Sequence, residues 1–274
     1  MLKKYAEMCI ICTNMNNKDF KRIVVKVGTS TLTHDTGKTN IRQMKKLVAV
    51  LSDIVNSGIE VALVSSGSIG VGAGKIGMEK RPKDTTSKQA LSTIGQCELM
   101  FMYDKMFSEY GHSVGQVLIT KRNVEADETR ENLINTFEKL FEYGVVPIIN
   151  ENDAIAIEEI VFGDNDTLSA IVAKLVGADA LMILTDTDGL YDKDPSEKDA
   201  KVIPVVETIT ESLFEVAGGR GSKFGTGGMI TKLQAAQIAT EAGIDTTVIN
   251  GDKPENLYKV LEGKEVGTLF KSVK

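Results

Sequence analysis

The sequence is poor in the residues that build disulfide frameworks, metal centres and membrane spans. It has no tryptophan, two histidines and three cysteines among 274 residues. An odd cysteine count, together with a short N-terminal apolar patch that is not a convincing signal peptide, predicts a reducing, cytoplasmic location. Because no run of about 18 apolar residues is present, we expect no membrane-spanning helix and no membrane partner.

The charge balance argues against another large class of proteins. The net charge is −6 and the pI is about 5.2, and no basic stripe is present, so we expect no nucleic-acid partner. With 42% hydrophobic and 26% charged residues, the composition is that of an ordinary globular chain, long enough for one large α/β domain or two lobes sharing a sheet. Residues 1–20 lack periodicity, so we predict that they form an N-terminal extension. Disorder of this extension is one alternative.

Three short motifs resemble known binding or redox motifs, but the residues around them do not support those functions. Cys9 and Cys12 form a C-x-x-C pair without a second pair or nearby histidines, so redox or metal chemistry is not favoured. The segment 35–39 resembles the end of a phosphate-binding P-loop, but Leu32 stands where its first glycine is required. The segment 72–77 fits G-x-G-x-x-G, yet it lies well past its strand and is soon followed by Pro82, so a dinucleotide site is not favoured.

Strand-like and helix-like segments alternate along most of the chain. The predicted strands are 22–27, 60–64, 113–120, 145–150, 180–185 and 246–250, and the predicted helices are 41–56, 86–110, 128–143, 166–176, 228–242 and 254–262. Gly95 is a candidate break in helix 86–110, and Asp166 can cap the helix that it begins. Apolar strands separated by helices predict a mainly parallel sheet covered on both faces.

Polar residues follow the predicted strands, where parallel α/β sheets bind their ligands. They form the blocks Lys26–Ser30, Ser65–Ser68, Asn150–Asp153 and Thr185–Gly189. Loops are polar in general, so part of this pattern is expected without any function. Four consecutive examples nevertheless place a candidate site at this edge of the sheet.

A glycine-rich segment opens the predicted helix 228–242. Gly225-Thr226-Gly227-Gly228-Met229-Ile230-Thr231-Lys232 places glycines at the helix start and a lysine one turn inside. Backbone N–H groups at a helix N-terminus bind anions, and glycine lets a phosphate approach closely. The segment therefore indicates either a phosphate site with a cation or a flexible loop before an ordinary helix.

Two further features support phosphoryl transfer. Gly163-Asp164-Asn165-Asp166 brings two carboxylates to a helix start, where capping needs only one. Lys26 interrupts an apolar strand, which is costly unless it points to solvent or meets an anion. Lys26 and Lys232 on opposite sides of a phosphoryl group would stabilise its charge, with Asp166 holding both ammonium groups.

Taken together, these motifs resemble the glutamate 5-kinase (γ-glutamyl kinase) family, a branch of the amino-acid kinases. The resemblance runs from about Arg22 to Phe270 and includes Gly189-Leu190-Tyr191 and Gly267-Thr268-Leu269-Phe270. It implies a three-layer αβα sandwich with a central, mostly parallel sheet. It also implies a kinase domain over 21–274, with a glutamate lobe over about 21–180 and an ATP lobe over about 181–274.

The resemblance assigns roles to individual residues. It makes Lys26, Lys232, Asp166 and Asp164 catalytic. It assigns glutamate binding to Ser66, Gly67, Asn150, Asp153 and Asn165. It assigns nucleotide binding to Lys26, Thr185, Asp186, Thr226, Gly227, Gly228, Met229, Ile230, Thr231 and Lys232. The implied cofactors are ATP and Mg²⁺, and no residue is assigned as a metal ligand because Mg²⁺ usually bridges phosphate oxygens and keeps several waters.

The family pattern also has departures in this chain. Many relatives continue into a C-terminal PUA module, which we expect to be absent because only four residues follow Phe270. Some relatives carry a lysine just before the Gly-Asp-Asn-Asp block, where this chain has Val161 and Phe162.

Alternative activities remain open at this point. A sister kinase acting on aspartate, N-acetylglutamate, carbamate or a nucleoside monophosphate such as UMP would share the phosphate site. A non-catalytic amino-acid sensor could lose Lys26, Asp166 or Lys232, and all three are present. The resemblance further implies feedback inhibition by proline, a homo-oligomer (dimer or tetramer), and a functional partner, the reductase that consumes γ-glutamyl phosphate.

Overall fold

The computed structural model describes residues 20–34, 38–78, 82–155, 164–218 and 228–273. Residues 1–19 of the predicted N-terminal extension, which include Cys9 and Cys12, lie outside these residues. The strands are β1 (Arg22–Val27), β2 (Glu60–Ser65), β3 (Ser113–Ile119), β4 (Val145–Glu151), β5 (Ala180–Thr185), β6 (Val205–Val206), β7 (Asp245–Asn250) and β8 (Thr268–Phe270).

Helices connect these strands in an order close to the predicted one. They are α1 (Thr29–Leu32), α2 (Ile41–Asn56), α3 (Ser68–Lys75), α4 (Thr85–Ser108), α5 (Lys121–Glu125), α6 (Asp127–Glu142), α7 (Asn165–Leu175), α8 (Glu211–Gly218), α9 (Met229–Glu241) and α10 (Asn256–Leu261). In the described part of the chain, no helix is long and apolar enough to cross a membrane.

The strands form one eight-stranded sheet in the order β3-β4-β2-β1-β5-β7-β8-β6. Every neighbouring pair is parallel except β7 and β8. The predicted mainly parallel sheet is therefore confirmed. Strands that precede residue 152 form one side of the sheet and strands that follow residue 179 form the other, and they meet where β1 pairs with β5.

Helices cover both faces of the sheet, so the strands are apolar on both sides. One core joins Ile23, Val25 and Val27 of β1 to helices α2 and α4. The other joins Val24 to helices α6, α7 and α9. Because side chains alternate along a strand, Lys26 lies on the same face as Val24, toward α7 and α9.

Two helix predictions need correction. The helix predicted over 86–110 runs from Thr85 to Ser108 without a break at Gly95. Gly95 instead lies where α3 crosses α4, since a Cβ on it would fall 1.7 Å from the carbonyl oxygen of Ser68. The glycine here allows a close helix–helix approach rather than ending the helix.

The second correction concerns the start of α7. The prediction gave the capping role to Asp166, but the helix begins at Asn165 and Asp164 is its N-cap. The Asp164 Oδ1 accepts a hydrogen bond from the backbone N–H of Thr167 at 2.9 Å. Asp166 is thereby left inside the first turn, where its carboxylate serves another purpose.

Candidate active site

The centre of the candidate site is a buried carboxylate that holds two buried lysines. Asp166 is 2% exposed, and Lys26 and Lys232 are each 6% exposed. The Lys26 Nζ lies 2.6 Å from Asp166 Oδ1, and the Lys232 Nζ lies 3.2 Å from Asp166 Oδ2. The prediction that Asp166 would bring both ammonium groups together is confirmed, and the solvent-pointing alternative for Lys26 is wrong.

Three elements supply these groups because of where each begins or ends. Lys26 is the penultimate residue of β1, Asp166 is in the first turn of α7, and Lys232 is in the first turn of α9. Both helix N-termini therefore point toward the end of β1, and each adds unsatisfied backbone donors and partial positive charge. The region favours an anion.

Charge and burial shift the pKa values of these groups in opposing ways. Burial alone would raise the pKa of Asp166, but the charges of Lys26 and Lys232 outweigh it and hold that pKa below its ordinary value. Burial lowers the pKa of Lys26, and the attraction of Asp166 offsets this only in part. An additional negative group beside Lys26 would raise the pKa of this lysine again.

Thr231 joins the same carboxylate. Its hydroxyl oxygen lies 2.7 Å from Asp166 Oδ2 and 2.8 Å from the carbonyl oxygen of Gly228, so its single proton can be donated to either acceptor. Gly228 is the N-cap of α9, and Met229 and Ile230 form the first residues of that helix. Thr226 and Gly227, which the sequence also assigned to nucleotide binding, lie outside the described residues.

A second cluster of polar side chains lies on the β2 and β4 side of Asp166. Asn165 donates through Nδ2 to Ser66 Oγ and to Asn150 Oδ1, each at 2.8 Å. Asp153, two residues beyond β4, accepts a hydrogen bond from the Ser68 hydroxyl at 3.1 Å. Burial raises the pKa of Asp153, and the hydrogen bond from Ser68 opposes the shift.

Gly67 shapes the turn between β2 and α3. Its φ is 103°, a left-handed conformation that residues with side chains rarely adopt, and it is the N-cap of α3. The turn places Ser66 beside Asn165 and begins α3 with Ser68 beside Asp153. All five residues predicted for glutamate binding therefore lie at the carboxyl ends of β2 and β4 or at the start of α7.

The remaining predicted nucleotide residues lie on the other half of the sheet. Thr185 ends β5 and is buried, and its hydroxyl donates to Asp186 Oδ1 at 3.1 Å. The neighbouring strand β7 ends at Asn250, which donates to Asp188 Oδ1 at 2.9 Å. These residues share the carboxyl edge of the sheet with Lys26.

Sequence reasoning missed Gln96, and it gave Ser68 no role beyond its place in the polar block Ser65–Ser68. Gln96 accepts a hydrogen bond from Asn150 Nδ2 at 3.0 Å, and Ser68 lies 3.4 Å from the same nitrogen. Both are buried, and both border a cavity of about 40 Å³ together with Ser92 and Asp153. The available signal was the helical spacing that puts Ser92 and Gln96 on the buried face with Leu99.

Asp164 is half-buried beside the ion pairs. Desolvation raises its pKa, and the hydrogen bond from the Thr167 backbone lowers it. Among the described residues, no group of three or more His, Cys, Asp or Glu side chains converges as a protein-built metal cage would require. The described donor set suits an ion that is held chiefly by ligand oxygens and water, with one or two carboxylates nearby.

Another cavity lies far from this chemistry. It has a volume of about 180 Å³ and is lined by residues that include Phe20, Ala180, Asp245 and Val266. Ala180 and Asp245 are the first residues of β5 and β7. The cavity is thus at the amino edge of the sheet, opposite the ion pairs.

Comparison with known proteins identifies close relatives of the chain. Residues 21–250 match the model of the amino acid kinase family. A glutamate 5-kinase of Clostridium perfringens is 54% identical over 258 residues, which cover 92% of this chain and 96% of that protein. A glutamate 5-kinase of Clostridium tetani is 51% identical and covers 94% of this chain and 97% of that protein.

Longer relatives and solved structures complete the comparison. A glutamate 5-kinase of Caldanaerobacter subterraneus is 50% identical, and this chain spans 68% of its length. Carbamate kinase from Giardia lamblia has a TM-score of 0.67 at 16% identity, covering 93% of this chain and 99% of that one. UMP kinase from Bacillus anthracis has a TM-score of 0.62 at 18% identity, covering 94% and 98%. At such low identities these two structures support the fold alone.

Proposed function

The chain belongs to the amino acid kinase family, and we propose that it transfers the γ-phosphoryl group of ATP to the γ-carboxylate of L-glutamate. The products are L-glutamyl 5-phosphate and ADP, in the first step of proline biosynthesis. The observation that carries the chemistry is the pair of buried lysines on Asp166, with 2.6 and 3.2 Å separations. The glutamate 5-kinases at 50% identity and above support the choice of substrate.

The reaction needs little proton transfer. The γ-carboxylate is already ionised near neutral pH, so it can attack without a general base. One of its oxygens forms a bond to the γ-phosphorus while the bond from that phosphorus to the bridging oxygen breaks. The electron pair leaves with ADP, and the result is a mixed anhydride of a carboxylic and a phosphoric acid.

Catalysis then consists of positioning and charge stabilisation. Lys26 and Lys232 would face the transferring phosphoryl group from two sides, and Asp166 would hold them at that spacing. Anionic phosphate beside Lys26 would offset the burial that lowers the pKa of this lysine. Thr231 would fix the Asp166 carboxylate through its hydrogen bond and hold the first turn of α9 toward the phosphates.

The substrate residues divide between the two halves of the sheet in this proposal. Ser66, Gly67, Asn150, Asp153 and Asn165 would bind glutamate within a lobe of about 21–180. The carboxylate of Asp153 supplies an acceptor for a free α-ammonium group. An N-acetylated substrate lacks that charge.

The nucleotide would bind across the other half, at about 181–274. Thr185 ends β5, which pairs with β1, and Asp186 follows it. Of the 226–232 segment, Gly228 is the N-cap of α9 and residues 229–232 form its first turn. Mg²⁺ would neutralise phosphate charge when bound. Among the described residues, Asp164 would supply a carboxylate beside the ion. A cytoplasmic location, a homo-oligomer, feedback by proline and a reductase that consumes the acyl phosphate are further parts of the proposal.

The direct test traps the product. The purified protein is incubated with ATP, Mg²⁺, L-glutamate and hydroxylamine, and γ-glutamyl hydroxamate is measured. Aspartate, N-acetylglutamate and carbamate run in parallel, and proline is added to a second series. Hydroxamate from glutamate alone is the expected result. Turnover of another acceptor without any product from glutamate would overturn the substrate assignment.

Two lysine variants link the activity to the site. Lys232→Met should lower kcat by about a hundredfold or more, which is the usual cost of removing one group that stabilises transition-state charge. Lys174→Met is the matched control, since Lys174 is an exposed residue of α7 and should leave kcat unchanged. Equal activities of the two variants would remove Lys232 from the mechanism.

A further inference from the structure

A chain of side-chain amides connects Gln96 to the candidate substrate residues. Asn150 donates through Nδ2 to Gln96 Oε1 at 3.0 Å. Asn150 accepts through Oδ1 from Asn165 Nδ2 at 2.8 Å. Asn165 in turn uses its other N–H toward Ser66 Oγ at 2.8 Å. Each amide in the chain therefore presents its nitrogen in one direction and its oxygen in the other.

Two groups that can only accept hydrogen bonds favour the same direction at the two ends. The Asp153 carboxylate accepts the Ser68 hydroxyl at 3.1 Å, so the Ser68 oxygen can face Asn150 only as an acceptor. At the other end, the backbone carbonyl oxygen of Ser65 lies 3.5 Å from Asn165 Nδ2 and would repel an oxygen placed there. Reversing Asn150 or Asn165 would bring two acceptors together, and reversing Gln96 would bring two donors together.

The orientation has a consequence for the substrate. With both N–H groups of Asn165 directed to Ser66 and Asn150, its Oδ1 makes no hydrogen bond to any residue that the structure describes. That oxygen can accept a hydrogen bond from a ligand. A reversed Asn165 would instead present N–H groups, which an ammonium group would not bind.

The position of Gln96 beside these amides is fixed by burial and by the packing of its helix. The side chain of Gln96 is 8% exposed. The neighbouring Gly95 lies so close to α3 that a Cβ on it would overlap the carbonyl oxygen of Ser68. The backbone of α4 is thereby held against α3, close to the first turn that carries Ser68. At 3.0 Å, Gln96 is also a better placed acceptor for Asn150 than Ser68 at 3.4 Å.

We propose that Gln96 is a positioning residue of the acceptor-substrate site, which orients the amide of Asn150 and through it the carbonyl oxygen of Asn165 that faces the substrate. Gln96 does not touch the reacting atoms. Its effect is on the binding of the acceptor, not on ATP or on the phosphoryl transfer itself. This inference rests on the proposed function only in the choice of glutamate as the acceptor.

The test compares two substitutions of similar size. Gln96→Met removes the acceptor atom, and Gln96→Glu keeps an acceptor oxygen toward Asn150 in either protonation state. We expect the KM for glutamate to rise about fivefold to thirtyfold in Gln96→Met, which corresponds to about 1–2 kcal/mol for an unsatisfied buried donor. The kcat and the KM for ATP should stay within about twofold of the wild-type values. A hydrogen bond lost from the ATP site or from the transition state would change them by more than that.

The Glu variant and a surface control separate positioning from a structural defect. Gln96→Glu should bring the KM for glutamate back to within about threefold of the wild type, because the hydrogen bond is kept. Cys97→Ser changes the next residue of α4, which is exposed, and should change none of the constants. Should Gln96→Met be too unstable to assay, Gln96→Lys, which offers only donors, takes its place with the same expected rise in KM.

Three results would overturn the inference. They are an unchanged glutamate KM in the acceptor-less variant, an equal rise in both Gln96 variants, and an equal rise in the KM for ATP. The assays use the acceptor that the wild-type protein phosphorylates. A wild-type protein that acts on another acceptor would refute the proposed function, and the KM for that acceptor would still decide the role of Gln96.

Discussion

Replacing Asp166 by asparagine tests the ion-pair centre most directly. The substitution keeps the size of the side chain and removes its charge, so Lys26 and Lys232 become two buried ammonium groups without their shared partner. At an effective dielectric constant of about 20, each pair at these separations has a Coulomb energy of about 5–6 kcal/mol, and the cost of desolvation offsets much of it. Removing one partner of a buried ion pair usually costs about 3–5 kcal/mol.

The expected result is a large loss of stability together with a loss of activity. For a chain of this size, about 3–5 kcal/mol lowers Tm by roughly 6–20 °C. The measurement is a thermal melt at neutral pH, read by circular dichroism, with and without ATP. Because phosphate supplies negative charge to the two lysines, ATP should raise the Tm of Asp166→Asn by more than it raises the Tm of the wild type.

Asp164→Asn is the matched control on the neighbouring residue. Asparagine caps helices as well as aspartate, and desolvation already raises the pKa of Asp164. Because a carboxylate with a raised pKa destabilises the fold where it is ionised, this variant should have a Tm equal to or slightly above that of the wild type. The reasoning would be refuted by an Asp166→Asn protein as stable as the wild type, or by an equal loss of stability in both variants.

The effect of pH on the stability of Asp166→Asn, relative to the wild type, follows from the direction in which the pKa of Asp166 is shifted. The pKa of Asp166 in the folded protein is below its ordinary value of 3.8. Its contribution to stability is present above the unfolded-state pKa and is lost as the pH falls through the lowered folded-state pKa. The stability difference between wild type and Asp166→Asn should stay constant from about pH 8 to pH 5 and shrink only below about pH 4.

Three further outcomes are expected. Asp153→Asn should raise the KM for glutamate yet raise Tm at neutral pH, because a carboxylate whose pKa is raised by burial destabilises the fold where it is ionised; a lower Tm would contradict this. Gly95→Ala should lower the free energy of unfolding by about 1–3 kcal/mol, measured by urea titration, since its Cβ would overlap the Ser68 carbonyl oxygen. Thr231→Val should cost about 1 kcal/mol and lower kcat, because it removes the hydrogen bond to Asp166; wild-type kcat and stability would refute that role.

Local patterns were sufficient to predict most of the fold. Strands 22–27 and 180–185 match their predicted bounds, and so does the helix Ile41–Asn56. Their apolar periodicity and terminating glycines are properties of neighbouring residues, which a single sequence displays. The mainly parallel sheet follows from apolar strands that alternate with helices.

Helix boundaries and interruptions were less predictable. Two aspartates bracket Asn165, and either can cap a helix, so the pattern could not say which one would do so. The local pattern at Gly95 is equally consistent with a break or with close packing. The choice depends on α3, which meets α4 only in the folded protein.

The ion-pair centre was predictable in part because each of its members stands out locally. Lys26 interrupts an apolar strand, Asp166 is a surplus carboxylate, and Lys232 follows a glycine-rich helix start. The rule that ligands bind at the carboxyl ends of parallel strands brought them together. Their distances and burial, however, depend on how α7 and α9 pack on the sheet.

The sequence by itself thus determined the class of fold, the edge of the sheet that carries the chemistry, and the charged residues at its centre. Tertiary structure alone decided that Asp164 caps α7 while Asp166 binds the two lysines. It also decided the hydrogen bonds that connect Gln96 through Asn150 to Asn165. Gln96 lies 54 positions from Asn150 in the chain, and its polarity has no local signature of function. Hydrogen bonds between such distant residues exist only after the helices and strands that carry them have packed.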